Sequence, residues 1–329
     1  MNASKMIVIT GGTGFIGSCL TWKFNQQGRT DLLLVDIQGN ELPKLKNLEK
    51  RKFADYFEKE DFLKELAKDS FSRKIDAIFH FGACTDTTET RKDYLWETNY
   101  EYSKRLAEWA FKEGKRFLYA SSAATYGDGS VGYSDDESGL LKLKPLNLYG
   151  LSKHVFDLWV WENKLHRKFV GLKFFNVFGP NEHHKGEMRS MVYKGYEQIK
   201  QSGKIRLFKS YRKEFADGEQ KRDFIYVMDA LEVVLWFWNH PSVTGIFNLG
   251  TGRAESWIHL AGAIFKALKK SPVIEYIDMP ELIRNKYQYW TQADLSRLRQ
   301  VGCDHKFMSL EEAVKDCVAN YLEKKDPYL

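Results

Sequence analysis

Cysteine is scarce in this sequence, and its spacing excludes several kinds of site. Among 329 residues there are four cysteines, Cys19, Cys84, Cys303 and Cys317, and no C-x-x-C pair. This spacing offers no framework for a structural zinc ion and suits a reducing compartment. We therefore expect four ordinary packing residues in a cytoplasmic protein.

Long apolar runs and concentrated basic stretches are absent as well. No apolar run approaches the roughly 18 residues of a membrane span, and the first one is interrupted by Gly11, Gly12 and Gly14, unlike a signal-peptide core. The net charge of +6 arises from Lys and Arg spread along the whole chain. No basic stripe with interleaved aromatic residues occurs, so we expect a small anionic ligand and neither a nucleic-acid nor a membrane partner.

Short aliphatic segments alternate with longer amphipathic ones over the first 120 residues. The predicted strands are MIVIT, DLLLVD, DAIFHFGA and RFLYASS. This alternation predicts an α/β protein with a doubly wound parallel sheet. We assign residues 1–175 to a dinucleotide-binding domain and most of 176–329 to a smaller C-terminal substrate-binding domain. The segment RDFIYVMDALEVVLWFW is expected to return to the sheet as strand and helix, so residues of about 222–250 rejoin the first domain.

A glycine-rich turn separates the first predicted strand from the first predicted helix. Gly11, Gly14 and Gly17 are spaced G-x-x-G-x-x-G. In a Rossmann-like fold the first glycine permits a tight turn, the second lets the backbone approach a pyrophosphate, and the third allows close helix–strand packing. A glycine-rich turn without a ligand is the alternative. Asp36, which ends the second strand and can bind an adenosine ribose, favours dinucleotide binding.

The phosphate state of the dinucleotide stays open at this point. Asp36 favours NAD, because a carboxylate repels a 2′-phosphate. Five basic residues that follow could instead pair with that phosphate, as in NADP, or could form a solvated helix face. They are Lys44, Lys46, Lys50, Arg51 and Lys52.

The segment YGLSK places Tyr149 and Lys153 four residues apart at the start of an amphipathic stretch. On a helix the two side chains share a face, so the ammonium group can lie near the hydroxyl group and near a bound ribose. A nearby positive charge, together with oxidised nicotinamide, favours the phenolate and makes tyrosine usable as a base. The alternative is a surface pair without function.

Ser121 and Ser122 end the predicted strand RFLYASS, at the sheet edge where open α/β sheets bind ligands. A serine hydroxyl there can hold a substrate oxygen beside the tyrosine, or can simply terminate the strand with a hydrogen bond. The glycine turn, Ser122 and the Tyr149/Lys153 pair, in this order, resemble the extended short-chain dehydrogenase/reductase family. FNVFGP and KRDFIYVMDA are similar to its nucleotide-sugar branch.

Further segments, collinear over nearly the whole chain, resemble the epimerases of ADP-linked heptoses within that branch. The specific ones are HKG and GTGRAES followed by TQADL. The resemblance implies inversion of carbon six of the sugar by transient oxidation with NADP, with NAD possible, in a homo-oligomer. It also implies that Tyr149 and Lys185 are the two acid/base groups, that Lys153 orients the nicotinamide ribose, and that Ser122 polarises the reacting oxygen. An exposed lysine or a phosphate clamp remains the alternative for Lys185.

The same resemblance implies two sets of binding residues. Those expected at the cofactor are Gly11, Gly14, Phe15, Ile16, Gly17, Asp36, Ile37, Lys44, Lys59, Phe81, Gly82, Ala83, Cys84, Thr85, Asn99, Lys153, Val177 and Lys185. Those expected at the sugar nucleotide are Ser122, Asn176, Glu187, Lys194, Phe208, Arg222 and Tyr287. Arg222 would meet the diphosphate, which suits a bidentate guanidinium, although a turn contact with Asp223 is the alternative.

Three features limit these assignments. Ile37 stands where the family usually has Asn, so the preferred cofactor phosphate is open. A nucleotide-sugar dehydratase would carry an Asp-Glu pair after the strand end, where this chain has Ala123 and Ala124. A non-catalytic dinucleotide-binding protein is disfavoured because Tyr149 and Lys153 are both present. His183 and His184 are adjacent without other ligands, so we expect no metal site.

Overall fold

Short strands and helices alternate along the chain in the computed structural model, which describes residues 5–37, 42–68, 71, 73–284 and 287–329. The strands are β1 Met6–Thr10, β2 Leu32–Asp36, β3 Asp55–Glu58, β4 Ile75–His80, β5 Arg116–Ser122, β6 Val170–Phe174, β7 Asn176–Phe178, β8 Ile205–Phe208, β9 Lys221–Arg222, β10 Phe224–Tyr226, β11 Gly245–Leu249, β12 Glu255–Ser256 and β13 Ile274–Ile277. The helices are α1 Phe15–Gln26, α2 Leu42–Lys46, α3 Lys59–Leu66, α4 Lys92–Leu95, α5 Tyr102–Lys112, α6 Leu148–Glu162, α7 Met191–Ser202, α8 Val227–Asn239, α9 Trp257–Ala267, α10 Glu281–Arg284, α11 Ser296–Gln300 and α12 Leu310–Cys317.

Seven parallel strands form the main sheet in the order β3-β2-β1-β4-β5-β6-β11. The predicted doubly wound parallel sheet is confirmed. The strand order reverses between β1 and β4, and in such sheets ligands bind at the carboxyl ends of the strands beside this reversal. None of the helices in the described residues has the length and apolar character that crossing a membrane requires.

The return of the chain to the main sheet differs from the expectation. Phe224–Tyr226 does not enter that sheet; it pairs in parallel with β7, beyond the end of β6. Asp223, directly before it, accepts hydrogen bonds from the amides of Thr251 and Gly252 at 2.7 and 2.9 Å, in the loop that follows β11. The chain rejoins the sheet later, through β11, which pairs with β6.

Both faces of the main sheet are buried, and alternate residues of each strand point to opposite faces. Ile7 and Leu34 contribute to an apolar cluster that includes residues of α1 and α8. Val8 and Leu33 contribute to a second cluster, with residues of α5 and α6. The two layers fix the strand ends, and therefore the loops between them, in a rigid frame.

Candidate active site

A cavity of about 430 Å³ lies at the carboxyl ends of β1, β2 and β4, beside the reversal in strand order. We call it the strand-end cavity. Fifteen of the residues expected at the cofactor line it: Gly11, Gly14, Phe15, Ile16, Gly17, Asp36, Ile37, Lys44, Lys59, Phe81, Gly82, Ala83, Cys84, Thr85 and Lys185. Asn99, Lys153 and Val177 do not belong to this wall.

The glycine turn forms the floor of the strand-end cavity. Gly11 has φ +69°, and a Cβ atom there would lie 2.7 Å from the Gly82 nitrogen. A Cβ atom on Gly17 would lie 2.1 Å from the Gly11 carbonyl oxygen, so no larger residue fits. Helix α1 begins after Gly14 with no side-chain cap and no acidic residue in its first turn. Its free N–H groups and dipole therefore suit a phosphate group.

Asp36 is held in place at the end of β2 by three neighbours. Its carboxylate accepts hydrogen bonds from the Thr13 and Ile37 amides at 3.0 and 2.8 Å. The Lys44 ammonium donates at 2.8 Å to Oδ1, the same oxygen that accepts from Ile37, and both side chains are largely buried. Lys44 is thus the member of the basic cluster that lines the cavity, whereas Lys50 pairs with Asp326.

Asn99 supports the cavity wall from behind. It lies in the π-helical turn Trp96–Glu101, between α4 and α5. Its side chain bonds the Cys84 amide at 2.8 Å and the Cys84 carbonyl at 3.0 Å, and it donates to the Ser152 hydroxyl at 3.0 Å. The segment after β4 is thereby fixed to helix α6. Val177, on β7, packs against the apolar cluster of α1 and α8.

Tyr149 and Lys153 occupy the first turns of α6, because Asn147 caps the helix by accepting from the Gly150 amide at 2.7 Å. The Lys153 ammonium donates to the Ala120 carbonyl at 2.9 Å, and burial lowers its pKa to about 8. Burial also raises the pKa of Tyr149, while a hydrogen bond with Ser122 opposes that rise. The phenolate expected beside Lys153 also depends on oxidised nicotinamide, so it stays a prediction.

A buried ion pair lies behind Ser122 and Lys153. The Lys173 ammonium is 2.6 Å from the Asp157 carboxylate, and neither side chain reaches solvent. Asp157 also accepts from the hydroxyl groups of Ser121 at 2.6 Å and Tyr119 at 3.0 Å. Lys173 donates to Thr125 at 2.8 Å, whose hydroxyl donates to the Ser122 carbonyl. The sequence reading missed this pair, although charged residues in the otherwise apolar segments VGLKF and FDLWV were a usable signal.

Lys185 lies in the short helical turn His183–Met188 and lines the strand-end cavity. Its ammonium is 3.9 Å from the Glu182 carboxylate and 5.2 Å from the centre of the Phe15 ring. Burial lowers the pKa of Lys185, and Glu182 opposes this decrease. Cys84 lines the cavity and also interacts electrostatically with Tyr149 and Lys153. The predicted catalytic residues of α6 are therefore close to this wall.

Arg222 is a buried cation between aromatic rings. Its guanidinium carbon lies 4.8 Å from the centre of the Tyr287 ring and 5.7 Å from that of Trp257. Trp257 donates to the Tyr287 hydroxyl at 2.8 Å, and the Phe208 ring packs against Tyr287. Within the described ranges no carboxylate pairs with Arg222, which donates only to the Lys221 carbonyl. A buried cation without a counter-ion is costly, so the geometry calls for an anionic ligand.

The alternative of a turn contact between Arg222 and Asp223 does not describe the structure. The Asp223 carboxylate accepts from the Thr251, Gly252 and Ala293 amides at 2.7, 2.9 and 3.0 Å. Asp223 therefore joins two loops, a role that the sequence reading did not identify.

The other predicted substrate residues lie at the surface. Asn176 is exposed on β7, and its amide bonds the Asp223 carbonyl at 3.0 Å, next to Arg222. Glu187 is exposed as well. Lys194 donates to the Glu187 carbonyl at 3.1 Å and lies 4.0 Å from its carboxylate.

Residues 326–329 support two walls of the strand-end cavity at once. Asp326 pairs with Lys50 at 2.6 Å, beyond α2. The Leu329 amide donates to the Asn181 side chain at 3.0 Å, and the Tyr328 ring lies 4.3 Å from that of His183. Asp326, Tyr328 and Leu329 therefore contact both the chain that follows α2 and the segment that carries Lys185.

Seven wall residues of the cavity were missed by the sequence reading. They are Thr10, Val35, Asp86, Thr98, Tyr102, His184 and Met188. Thr10 and Val35 could have been found, because they stand at the ends of predicted strands. His184 bonds Asn47 at 3.2 Å, and among the described residues no group of three His, Cys, Asp or Glu could hold a metal ion.

Comparisons with known proteins bear on this arrangement. A family model described as the NAD dependent epimerase/dehydratase family matches residues 7–250. The chain is 48% identical over 324 residues to ADP-L-glycero-D-manno-heptose-6-epimerase of Nitratidesulfovibrio vulgaris, covering 98% of this chain and 100% of that protein. It is 45% identical over 333 residues to the enzyme of the same name from Fusobacterium nucleatum, with coverage of 98% and 100%.

The fold is similar to that of a solved structure with the same printed name. The crystal structure of Helicobacter pylori ADP-L-glycero-D-manno-heptose-6-epimerase matches with a TM-score of 0.77 at 24% identity, over 97% of this chain and 98% of that one. At this identity the likeness establishes the shared fold alone.

Proposed function

Because the chain belongs to the NAD dependent epimerase/dehydratase family, we propose that it inverts carbon six of ADP-D-glycero-D-manno-heptose to give the L-glycero form, using a bound nicotinamide cofactor, for the supply of lipopolysaccharide core heptose. The observation that carries this proposal is the near-full-length identity to relatives that bear that enzyme's name. The segments HKG, GTGRAES and TQADL lie within the aligned region and are the ones that are specific to this group of epimerases.

The walls of the strand-end cavity fit a dinucleotide. The free N-terminus of α1 suits the pyrophosphate, and Asp36 stands where an adenosine ribose binds. When bound, a nicotinamide cofactor supplies the hydride acceptor and donor for the reaction. The chain contributes everything else, namely orientation, exclusion of water and movement of protons.

Different side chains of the protein bind the substrate and transfer protons at the reacting carbon. Arg222 binds the diphosphate, because it is a buried cation that lacks a carboxylate partner in the described part of the chain. Ser122 and Tyr149 hydrogen-bond each other, so the two hydroxyl groups can hold one substrate oxygen between them. Inversion requires an acid/base group on each side of the carbon, and Lys185 is the proposed second one.

Two other activities are less well supported. A dehydratase needs an acid and a base directly after β5, where the turn Ala123–Tyr126 presents Ala123 and Ala124. A non-catalytic dinucleotide-binding protein would have no use for the buried Tyr149 and Lys153 pair. Homo-oligomerisation and a cytoplasmic location stay predictions, the latter consistent with four free cysteines.

The proposed reaction predicts that the carbon-bound hydrogen is never exchanged with solvent. Carbon six is not adjacent to a carbonyl group, so its hydrogen is too weakly acidic for a side-chain base, and oxidation by the cofactor is the accessible route. With ADP-D-glycero-D-manno-heptose in deuterated water, we expect the L-glycero epimer with no deuterium at carbon six by NMR and mass spectrometry. Stoichiometric deuterium there would rule out this mechanism, and absence of the epimer would rule out the function.

NADP is the proposed cofactor, and Lys44 carries the preference. The Lys44 ammonium neutralises Asp36, so a 2′-phosphate meets an ion pair rather than a bare carboxylate. We expect Lys44→Met to weaken NADP binding roughly tenfold or more while NAD binding changes little. Titration calorimetry on cofactor-free protein measures both affinities.

Lys50→Met is the matched control for this experiment, because Lys50 pairs with Asp326 outside the cavity wall. An equal loss of affinity for both dinucleotides in Lys44→Met would contradict the assignment. So would a wild-type preference for NAD.

A further inference from the structure

Glu182 is a fully buried carboxylate in the segment that carries Lys185. One of its oxygens accepts from the Gly179 amide at 3.0 Å, and the other accepts from the Ser190 amide at 2.6 Å. Ser190 is the cap of α7. A single side chain therefore joins the two ends of the segment 179–190, and the segment has a fixed path along the cavity wall.

The same carboxylate faces the Lys185 ammonium. The two charged groups are 3.9 Å apart, and the Lys185 amide also donates to the Glu182 carbonyl at 2.9 Å. Across residues 5–37, 42–68, 71, 73–284 and 287–329, Glu182 is the one carboxylate within ion-pair distance of Lys185. Burial raises the pKa of Glu182, and the Lys185 ammonium and the two amides that its oxygens face oppose that rise by favouring the ionised form.

Several titratable neighbours of the pair are uncharged near neutral pH. Around Glu182, burial raises the pKa of Cys19 to about 12 and raises those of Cys317 and Tyr193. Beside Lys185, burial lowers the pKa of His184 to about 4, and the Lys44–Asp36 pair lies beyond it. Glu182 and Lys185 are thus the opposite charges that face each other in this segment, whereas the Arg189 guanidinium pairs with Glu197.

We propose that Glu182 is a positioning residue that holds Lys185 at the wall of the strand-end cavity and supplies the negative charge facing its ammonium group. The positioning role of Glu182 does not depend on the proposed function; only its effect on catalysis rests on that function. Burial alone lowers the pKa of Lys185, and Glu182 opposes that decrease. Without Glu182, Lys185 loses its proton at a lower pH, and the pH at which it changes between acid and base moves with it.

Competitive labelling of amines tests the pair directly and without reference to activity. Wild type and Glu182→Gln are labelled over a range of pH with an amine-reactive acylating reagent, and modification of Lys185 is followed by mass spectrometry. At neutral pH we expect Lys185 of Glu182→Gln to react roughly tenfold faster, with the same plateau at high pH, because the fraction of free amine increases. Lys64, an exposed lysine, is the internal reference.

Glu197→Gln is the matched control. Glu197 bonds Arg189 at 2.9 Å, so it contacts the same segment without facing Lys185, and labelling of Lys185 should equal that of wild type. Unchanged labelling of Lys185 in Glu182→Gln would overturn the proposal. If circular dichroism shows that this variant does not fold, Glu182→Asp replaces it. The shorter carboxylate is withdrawn from Lys185, so a smaller increase in labelling is expected, and no increase overturns the proposal.

The catalytic consequence is measured separately, from the pH dependence of kcat. The limb of the profile that disappears in Lys185→Met is expected to move to lower pH in Glu182→Gln, with little change in KM, because Glu182 does not reach the cavity. If Lys185→Met changes only KM, Lys185 is a phosphate clamp and its acid/base role fails. The labelling result would then still decide the role of Glu182.

Discussion

Tyr149→Phe is expected to lower epimerase activity by a factor on the order of 100 or more while the protein remains folded. The substitution removes the hydroxyl group that bonds Ser122 and keeps the ring, which is buried at the start of α6. Without the hydroxyl group, no proton can be exchanged with the substrate oxygen on that side of the carbon. The loss should appear in kcat, since the ring still fills its place.

Progress curves of the sugar-nucleotide epimerisation, together with thermal melting, separate catalysis from folding in this variant. Tyr276→Phe is the control, because Tyr276 is exposed on β13 and is not part of the strand-end cavity wall. Near-wild-type kcat in Tyr149→Phe would remove Tyr149 from the mechanism. A lower melting temperature with a parallel loss of cofactor binding would instead assign it a structural role.

Lys173→Met is expected to destabilise the protein by about 3–5 kcal/mol. The change leaves the Asp157 carboxylate buried without its cation, and only neutral hydroxyl donors, Ser121 and Tyr119, remain beside it. Burying an unpaired charge costs far more than losing an exposed ion pair. The free energy of unfolding, measured by urea titration, is the test.

Lys23→Met provides the comparison for Lys173→Met, because Lys23 pairs with Glu232 at the surface. Loss of this exposed pair should lower the free energy of unfolding by at most about 1 kcal/mol. The double variant Lys173→Met/Asp157→Asn should recover part of the loss, since it removes the orphaned charge. A Lys173→Met protein as stable as wild type would show that Asp157 takes up a proton at little cost.

Local patterns made part of this site readable from the sequence. Gly11, Gly14 and Gly17 are identified by spacing, and Asp36 and Ser122 by their places at the ends of strands. The glycines act through the backbone next to them, and the positions of Asp36 and Ser122 follow from where their strands end, so short-range order is sufficient to find them. The parallel sheet was predictable for the same reason, from alternating segments.

Features that depend on residues far apart along the chain could not be predicted from the sequence. The burial of the Arg222 guanidinium could not be predicted, because it depends on Trp257 and Tyr287, which come close only in the folded chain. Glu182 and Lys173 look like ordinary charges in the sequence, because their burial is set by tertiary packing. The sequence did not predict that β10 pairs with β7 instead of entering the main sheet, because strand pairing between distant segments leaves no local pattern.

The contacts of residues 326–329 with the walls around Lys44 and Lys185 affect when these walls can form during synthesis of the chain. Chains are synthesised from the N-terminus, and early regions generally fold first. The strands β1 to β5 and the glycine turn emerge early, but Asp326, Tyr328 and Leu329 are translated last of all the wall supports. A nascent chain that lacks these residues can form the glycine turn but not these contacts, so we expect the segments around Lys44 and Lys185 to reach their final positions only after residues 326–329 have been synthesised.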